Sequence, residues 1–259
     1  MTVVNASVHM IGVNMNYGAG TVGGAVAAVR SSLTFDGSTF LGNAATGHGG
    51  AVYAWGGAAH VDTSSVAWNG DTVFSKNVAG DGGAVHAISS SGLLFGGRTT
   101  FHGNIAGGED RTGNAWSGGA LAVWHSTLSV SGEATFTDNE ARESGGAAST
   151  LEAIVSWTGS SSFSNNSGND RGSALHFVSS SVLFDRTATF HNNTAFSGGA
   201  VNAEGYSSVL RDGSVEFINN LASFGGALSV LSSNVSWSGN MALAHNRASG
   251  DGGASGGAL

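Results

Sequence analysis

The chain has 259 residues and a net charge of −8, from 17 Asp and Glu against 9 Lys and Arg, with no Cys and no Pro. That acidity argues against nucleic acid and anionic membrane surfaces as partners, because both require a basic face. Without Cys there are no disulfides or thiolate metal sites, no apolar run of about 18 residues is present to span a bilayer as a helix, and the lack of Pro suits strands paired on both sides.

In chain order, Met1-Thr-Val-Val-Asn5 shows no basic segment followed by an apolar core, so no signal peptide is visible. Gly-Gly-Ala then opens at Gly23, Gly49, Gly82, Gly118, Gly145, Gly198, Gly225 and Gly252, with a Gly-Ser-Ala variant at Gly172 and an extra copy at Gly256. In phase with it, Phe-x-x-Asn occurs as Phe40/Asn43, Phe74/Asn77, Phe101/Asn104, Phe136/Asn139, Phe163/Asn166, Phe190/Asn193 and Phe217/Asn220, and Val13/Asn16 and Leu243/Asn246 read as weaker copies. From Phe136 the step is 27, 27, 27 and 26 residues, whereas two earlier units carry insertions near 56–64 and 107–116. One unit copied end to end makes residues 1–259 a single elongated domain. The last residues, Asp251 to Leu259, stop at the opening of another unit and read as an excerpt of a longer protein.

Within a unit the apolar residues alternate with period two in three short runs, which is the pattern of strands. The first run follows the Gly pair, with Val26, Val85 and Leu175 in one column and Ala28, Ala87 and Phe177 in the next inward one; His86, His176 and Asn202 sit between these columns and are expected outside. The second run carries pairs such as Leu33/Phe35, Val66/Trp68, Val155/Trp157 and Val235/Trp237, and Arg211 breaks its aromatic column. The third run carries the Phe of Phe-x-x-Asn.

Three strands and three bends per unit predict an all-β fold: a right-handed parallel β-helix, three-sided, with about 27 residues per coil and eight or nine coils. Coils about 4.8 Å apart stack Phe on Phe and Asn on Asn, and make a rod on the order of 40 Å long. The Gly pair fits a corner that needs positive φ or close backbone approach. Neither end shows a capping helix, which leaves end-to-end contacts through uncapped coils open as an interaction.

Gly-Gly-Ala-(Val/Leu) paired with Phe-x-x-Asn resembles the repeat pair of the chlamydial polymorphic outer membrane proteins over nearly the whole chain. The resemblance implies a surface-exposed adhesive passenger, exported in that family through a C-terminal autotransporter barrel, and hence an extracellular or outer-membrane location. The barrel, the family's usual cysteines and an export signal are missing from this sequence.

β-Helices also serve as polysaccharide lyases and hydrolases, which cluster acidic residues on adjacent coils. The best candidates for such a site are Asp185, Arg186, Arg211 and Asp212, set against a plain ion-paired patch on a solvated face. His86 shares a register with His176, and His102 with His191, but each pair is three coils apart, about 14 Å, too far for one ion, so surface histidines are expected. Asp81 and Asp251 beside Gly pairs do not recur as calcium ligands would, and no metal or cofactor is expected. Trp68, Trp157 and Trp237 fall in the interior column. Trp55, Trp116, Glu109 and Asp110 lie at or within the insertions and are the loop candidates for binding. Ser89-Ser90-Ser91 and Ser179-Ser180-Ser181 fall at a bend and lack the regular Thr-x-Thr array of an ice-binding solenoid. The expected function is a non-catalytic stalk or adhesive surface that binds proteins or glycans at a cell surface; the alternative is a carbohydrate-active, pectate-lyase-like β-helix.

Overall fold

The computed structural model describes residues 1–55, 64–107 and 117–250. They form an all-β solenoid whose three long sheets each hold nine parallel strands, one from every coil. The first sheet runs from Thr2–Val4 to Leu228–Val230, the second from Ser7–Ile11 to Asn234–Trp237 and the third from Asn14–Asn16 to Met241–Ala244. A fourth, short ladder was not foreseen: the two residues after each ladder Asn, such as Val78–Ala79 and Ile105–Ala106, pair with their equivalents in neighbouring coils. Its inward residue is small, Ala in most coils and Gly at Gly20 and Gly168; Ala79, Ala106 and Ala141 are all buried.

Register follows the repeat. In the third sheet Phe74 pairs with Phe101 and Phe101 with Phe136, and the rings from Phe40 to Phe217 stack at centroid separations of 4.6–4.9 Å. The second-sheet aromatics meet this column edge-on, Phe35 against Phe40 at 5.3 Å and Trp68 against Phe74 at 5.4 Å. Such offset and edge contacts contribute about 0.5–1.5 kcal/mol per pair beyond area burial. Trp68 and Trp157 are core, whereas Trp237 in the last coil is partly buried. The N-terminal coil corrects one expectation. Met15 pairs with Phe40, and Gly18 donates its N–H to Asn43 Oδ1 at 2.8 Å, so Met15 and Gly18 hold the Phe and Asn positions rather than Val13 and Asn16.

Each bend has its own device. The residue before the ladder Asn lies in the left-handed region, as at Asp138 (φ 56°) and Asn165 (φ 55°), which explains why Asn, Asp and Gly recur there. Beyond it the Asn side chains form a continuous hydrogen-bonded ladder: Asn77 Nδ2 donates to Asn104 Oδ1 at 2.9 Å, Asn104 to Asn139 at 2.9 Å, and Asn139 to Asn166 at 3.0 Å. At the first bend the serine runs serve a second ladder, in which the Ser180 N–H donates to Ser207 Oγ at 3.1 Å and the Ser91 N–H to Ser126 Oγ at 3.2 Å. The two corner glycines differ in purpose. Gly82 has φ +58°, while a Cβ on Gly83 would stand 2.2 Å from the Gly119 carbonyl oxygen of the next coil.

Arg211 pairs with Phe184 on one side and Trp237 on the other, in a column that is otherwise aromatic, Val or Met. Its side chain is buried, with the guanidinium 5.6 Å from the Phe184 ring centroid. Nε donates to the Gly213 carbonyl at 2.9 Å, and Nη2 donates to the carbonyls of Arg186, at 3.1 Å, and Ser214. Turning the head group toward these bend carbonyls leaves an apolar cavity of about 20 Å³ beside Phe217 and Trp237. Burial lowers the Arg211 pKa to about 10.

Candidate functional site

The middle column of the first sheet is where the structure departs most from expectation. His86, Ser149, His176 and Asn202 point away from the core, yet all four are at most 2% exposed. Their cover is the segment between the short ladder and the Gly pair, which forms an outer layer of its own. Its backbone bridges run His48 to Asp81, Arg171 to Ser197 and Ser197 to Phe224. The residues just before each Gly pair are not prescribed by the repeat, so they are free to carry the charged groups of this layer.

Two clusters result. In the first, His48 Nδ1 lies 3.0 Å from Asp81 Oδ2, and the His86 ring packs against His48 at 4.8 Å and Trp124 at 4.6 Å. Burial first, and then the neighbouring His48, hold the His86 pKa well below the usual imidazole value. In the second, Glu204 accepts a hydrogen bond from Arg171 Nη1, and its other oxygen lies 3.1 Å from His176 Nε2. Burial acts to raise the Glu204 pKa, but these two partners outweigh it and bring the carboxyl to about 2. For His176 burial is the larger influence and lowers the pKa despite Glu204. Glu143, in the same layer, is raised by burial and by Asp81 and Asp170. An ionised Glu204 held by a guanidinium and an imidazole fastens the outer layer to the sheet, and its 8% side-chain exposure keeps it from reacting with a bulky substrate.

The sequence candidates are placed differently. Asp185, Arg186 and Asp212 are exposed at the bend after the second sheet, and Asp212 Oδ1 accepts from Ser238 Oγ at 2.5 Å. The ion pairs of the described residues include none among Asp185, Arg186, Arg211 and Asp212, because Arg211 turns inward to backbone carbonyls. The foreseen ion-paired patch is therefore absent. His86 and His176 correct the expectation of surface histidines, since the outer layer buries both; their shared register holds through Ala122 and Ser149. His102 and His191 are surface residues as expected, 3.4 Å from Asp138 and 3.7 Å from Glu216. Asp81 is buried and engaged by His48. Trp55 closes the strand Val52–Trp55 in register with Ile88, immediately before the first insertion. Trp116, Glu109, Asp110 and Asp251 lie outside the described residues.

His48, Glu143, Arg171 and Glu204 were not among the residues expected from sequence. A signal was present: the first three stand one or two residues before a Gly pair or its Gly-Ser variant, where His, Glu and Arg replace the Gly and Ser found in other coils. Among the described residues, no group of three or more His, Asp or Glu side chains could hold a metal ion, and no helix is long and apolar enough to cross a membrane.

Residues 37–54 and 71–88 match the family model described as Chlamydia polymorphic membrane protein (Chlamydia_PMP) repeat. Each match runs from the bend before a third-sheet strand, through Phe-x-x-Asn and Gly-Gly-Ala, into the following first-sheet strand. No curated protein and no solved structure matches the chain.

Proposed function

We propose that this chain is a surface-exposed, non-catalytic β-helix of the polymorphic-membrane-protein kind, acting outside the cell or at an outer membrane as an adhesive or stalk-like passenger. The repeat match supports the class. The observation that carries the adhesive reading is topological: one insertion follows directly on the first-sheet strand ending at Trp55, and the other rejoins at Ser117, just before the Gly pair that leads into the strand Leu121–Trp124. Both longest departures from the repeat thus border one sheet, and non-repetitive loops on a rigid scaffold are where specificity resides. Proteins or glycans at a cell surface are the proposed partners.

The test is a panel of glycans and host-surface proteins, read with the intact chain and with a variant in which 56–63 and 108–116 are shortened to the length of an ordinary coil. Binding by the intact chain that is lost in the shortened one supports the proposal. Binding retained in full removes the insertions from the account. Turnover of a uronide polysaccharide that is abolished in Asp185→Ala or Asp212→Ala would replace it with the lyase reading.

A further inference from the structure

The second sheet turns the first and third residues of each strand outward, because the second and fourth fill the core. From Ser32–Asp36 to Asn234–Trp237 neither outward column holds a charged side chain, although the chain carries a net charge of −8. The other sheets differ: the outer layer covers the middle column of the first, and the third shows His102, His191 and Glu216. What the second sheet exposes instead is small side chains punctuated by Ile154, 64% exposed, Leu210, 50% exposed, and Leu94 and Leu183. A charge-free face that carries branched apolar side chains has the composition of an interface.

Within each strand the two outward positions are complementary in size. Gly92 precedes Leu94, Ser181 precedes Leu183 and Ser208 precedes Leu210. In the strand Ile154–Trp157 the order reverses, with Ile154 before Ser156. Strands such as Ser65–Trp68 pair small with small, and no strand of this sheet has two large outward residues. Consider two copies packed on this face about a two-fold axis that lies between them along the stacking direction. The rotation reverses the strands but keeps each coil at its height, so the first outward position of one copy meets the second of the other in the same coil. Leu94 then meets the partner's Gly92, Leu183 meets the partner's Ser181, and Ile154 meets the partner's Ser156, each contact being made twice. Large meets small throughout, which keeps the two sheets evenly spaced at about 10 Å.

The rim agrees with this arrangement. It brings the exposed Arg30 to the partner's Asp36 and His125 to the partner's Glu133, and no like charges of the described residues face each other in a shared coil. Such rim pairs add little energy, but they leave the orientation unopposed. A face nine strands long and four residues wide covers roughly 560 Å² on each copy, or about 1,100 Å² in all, at ordinary strand spacings. That lies at the low end of what specific association needs.

We propose that the second sheet is a self-association face: two copies of this chain pack it face to face, coil on coil with strands antiparallel, about a two-fold axis along the stack. The dimer does not depend on what the insertions bind. At this area its dissociation constant is about 10–100 μM.

Sedimentation equilibrium of the full chain, from about 1 to 500 μM, tests it. The wild type is expected to pass from monomer to dimer across that range. Leu183→Asp, which places two unpaired carboxylates in the interface, should weaken the dimer at least about 30-fold. Gly92→Leu sets Leu against the partner's Leu94 and should weaken it at least about tenfold. The fold tolerates this change, since a Cβ on Gly92 has its nearest neighbour, Thr127 Oγ1, at 3.5 Å. Adding Leu94→Ser to Gly92→Leu exchanges the large and small positions and should bring the constant back to within about threefold of the wild type. A chain that stays monomeric throughout, a folded Leu183→Asp that associates as the wild type does, or an exchange variant that does not recover overturns the proposal. So does a monomeric chain whose binding to a glycan is lost in Leu183→Asp, which would make this face a glycan surface. Should Gly92→Leu not fold, Leu183→Asp and Ile154→Asp, both on the exposed face, decide by themselves.

Discussion

Replacing Asn139 by Ala isolates what the asparagine ladder contributes. Asn139 is fully buried. Its Oδ1 accepts from Asn104 N–H at 3.1 Å and from Asn104 Nδ2 at 2.9 Å, while its own Nδ2 donates to the Phe101 carbonyl and to Asn166 Oδ1, both at 3.0 Å. Ala in its place strands two donors on Asn104 and the Phe101 carbonyl in the interior of the stack. Each buried orphan costs about 1–3 kcal/mol, so with partial relaxation the loss is roughly 4–6 kcal/mol, a large share of the 5–15 kcal/mol that holds a typical domain. Asn246→Ala is the matched control. It removes the same bonds, to Asn220 N at 3.0 Å, Asn220 Nδ2 at 2.9 Å and Phe217 O at 2.8 Å, but in a part-buried final coil that water can reach, for a cost of about 1 kcal/mol. Urea unfolding followed by far-UV circular dichroism measures both. If Asn139→Ala loses no more than Asn246→Ala, hydrogen bonding in the ladder is not what holds the coils together.

Arg211→Phe is expected to stabilise the chain, because it removes a cation whose pKa is held down to about 10, a shift equivalent to roughly 3 kcal/mol, and refills a cavity between Phe184 and Trp237. Allowing for the carbonyls left to water, a net gain of about 2 kcal/mol should raise the thermal midpoint by roughly 4–8 °C in calorimetry, and a fall would refute this account of the cavity. Gly83→Ala should prevent folding, since its Cβ would meet the Gly119 oxygen at 2.2 Å, whereas Gly103→Ala, at φ +61° with its nearest neighbour at 3.7 Å, should cost only about 1 kcal/mol; expression with far-UV circular dichroism separates the two. Glu204, lowered from 4.5 to about 2, contributes stability that is fully present above pH 4.5 and is lost as the pH falls toward 2. His176, also lowered, acts in the same direction below its ordinary value of 6.5. Unfolding free energies taken between pH 7 and 3 should therefore drop in the wild type and drop by roughly 2 kcal/mol less in Glu204→Gln.

Much of the architecture was legible because a repeated unit states its own register. Phe136, Asn139 and Gly145 recur in phase, and a strand that must stack on its own copy has one pairing available to it. The Arg211 break was visible for the same reason. The outer layer was not, since it is held by residues at positions the repeat leaves open. Period-two alternation placed His86 and His176 outside the core correctly, but facing outward says nothing about whether a second layer lies beyond. The acidic candidates failed differently. Proximity of Asp185, Arg186, Arg211 and Asp212 followed from the spacing, whereas the direction of the Arg211 side chain depended on three carbonyls that converge only in the folded bend.

By itself the sequence determined the coil: strand register, the Phe and Asn ladders, the glycine corners and the sites of insertion, because each depends on contacts between copies of one unit a fixed distance apart along the chain. The tertiary structure alone decided what lies on the outside of that coil. The pairing of His48 with Asp81, the burial of His86, and the grip of Arg171 and His176 on Glu204 join residues 28 to 38 positions apart that belong to no repeated motif. Their association is set by how the segment before each Gly pair drapes over the first sheet, which depends on packing rather than on period.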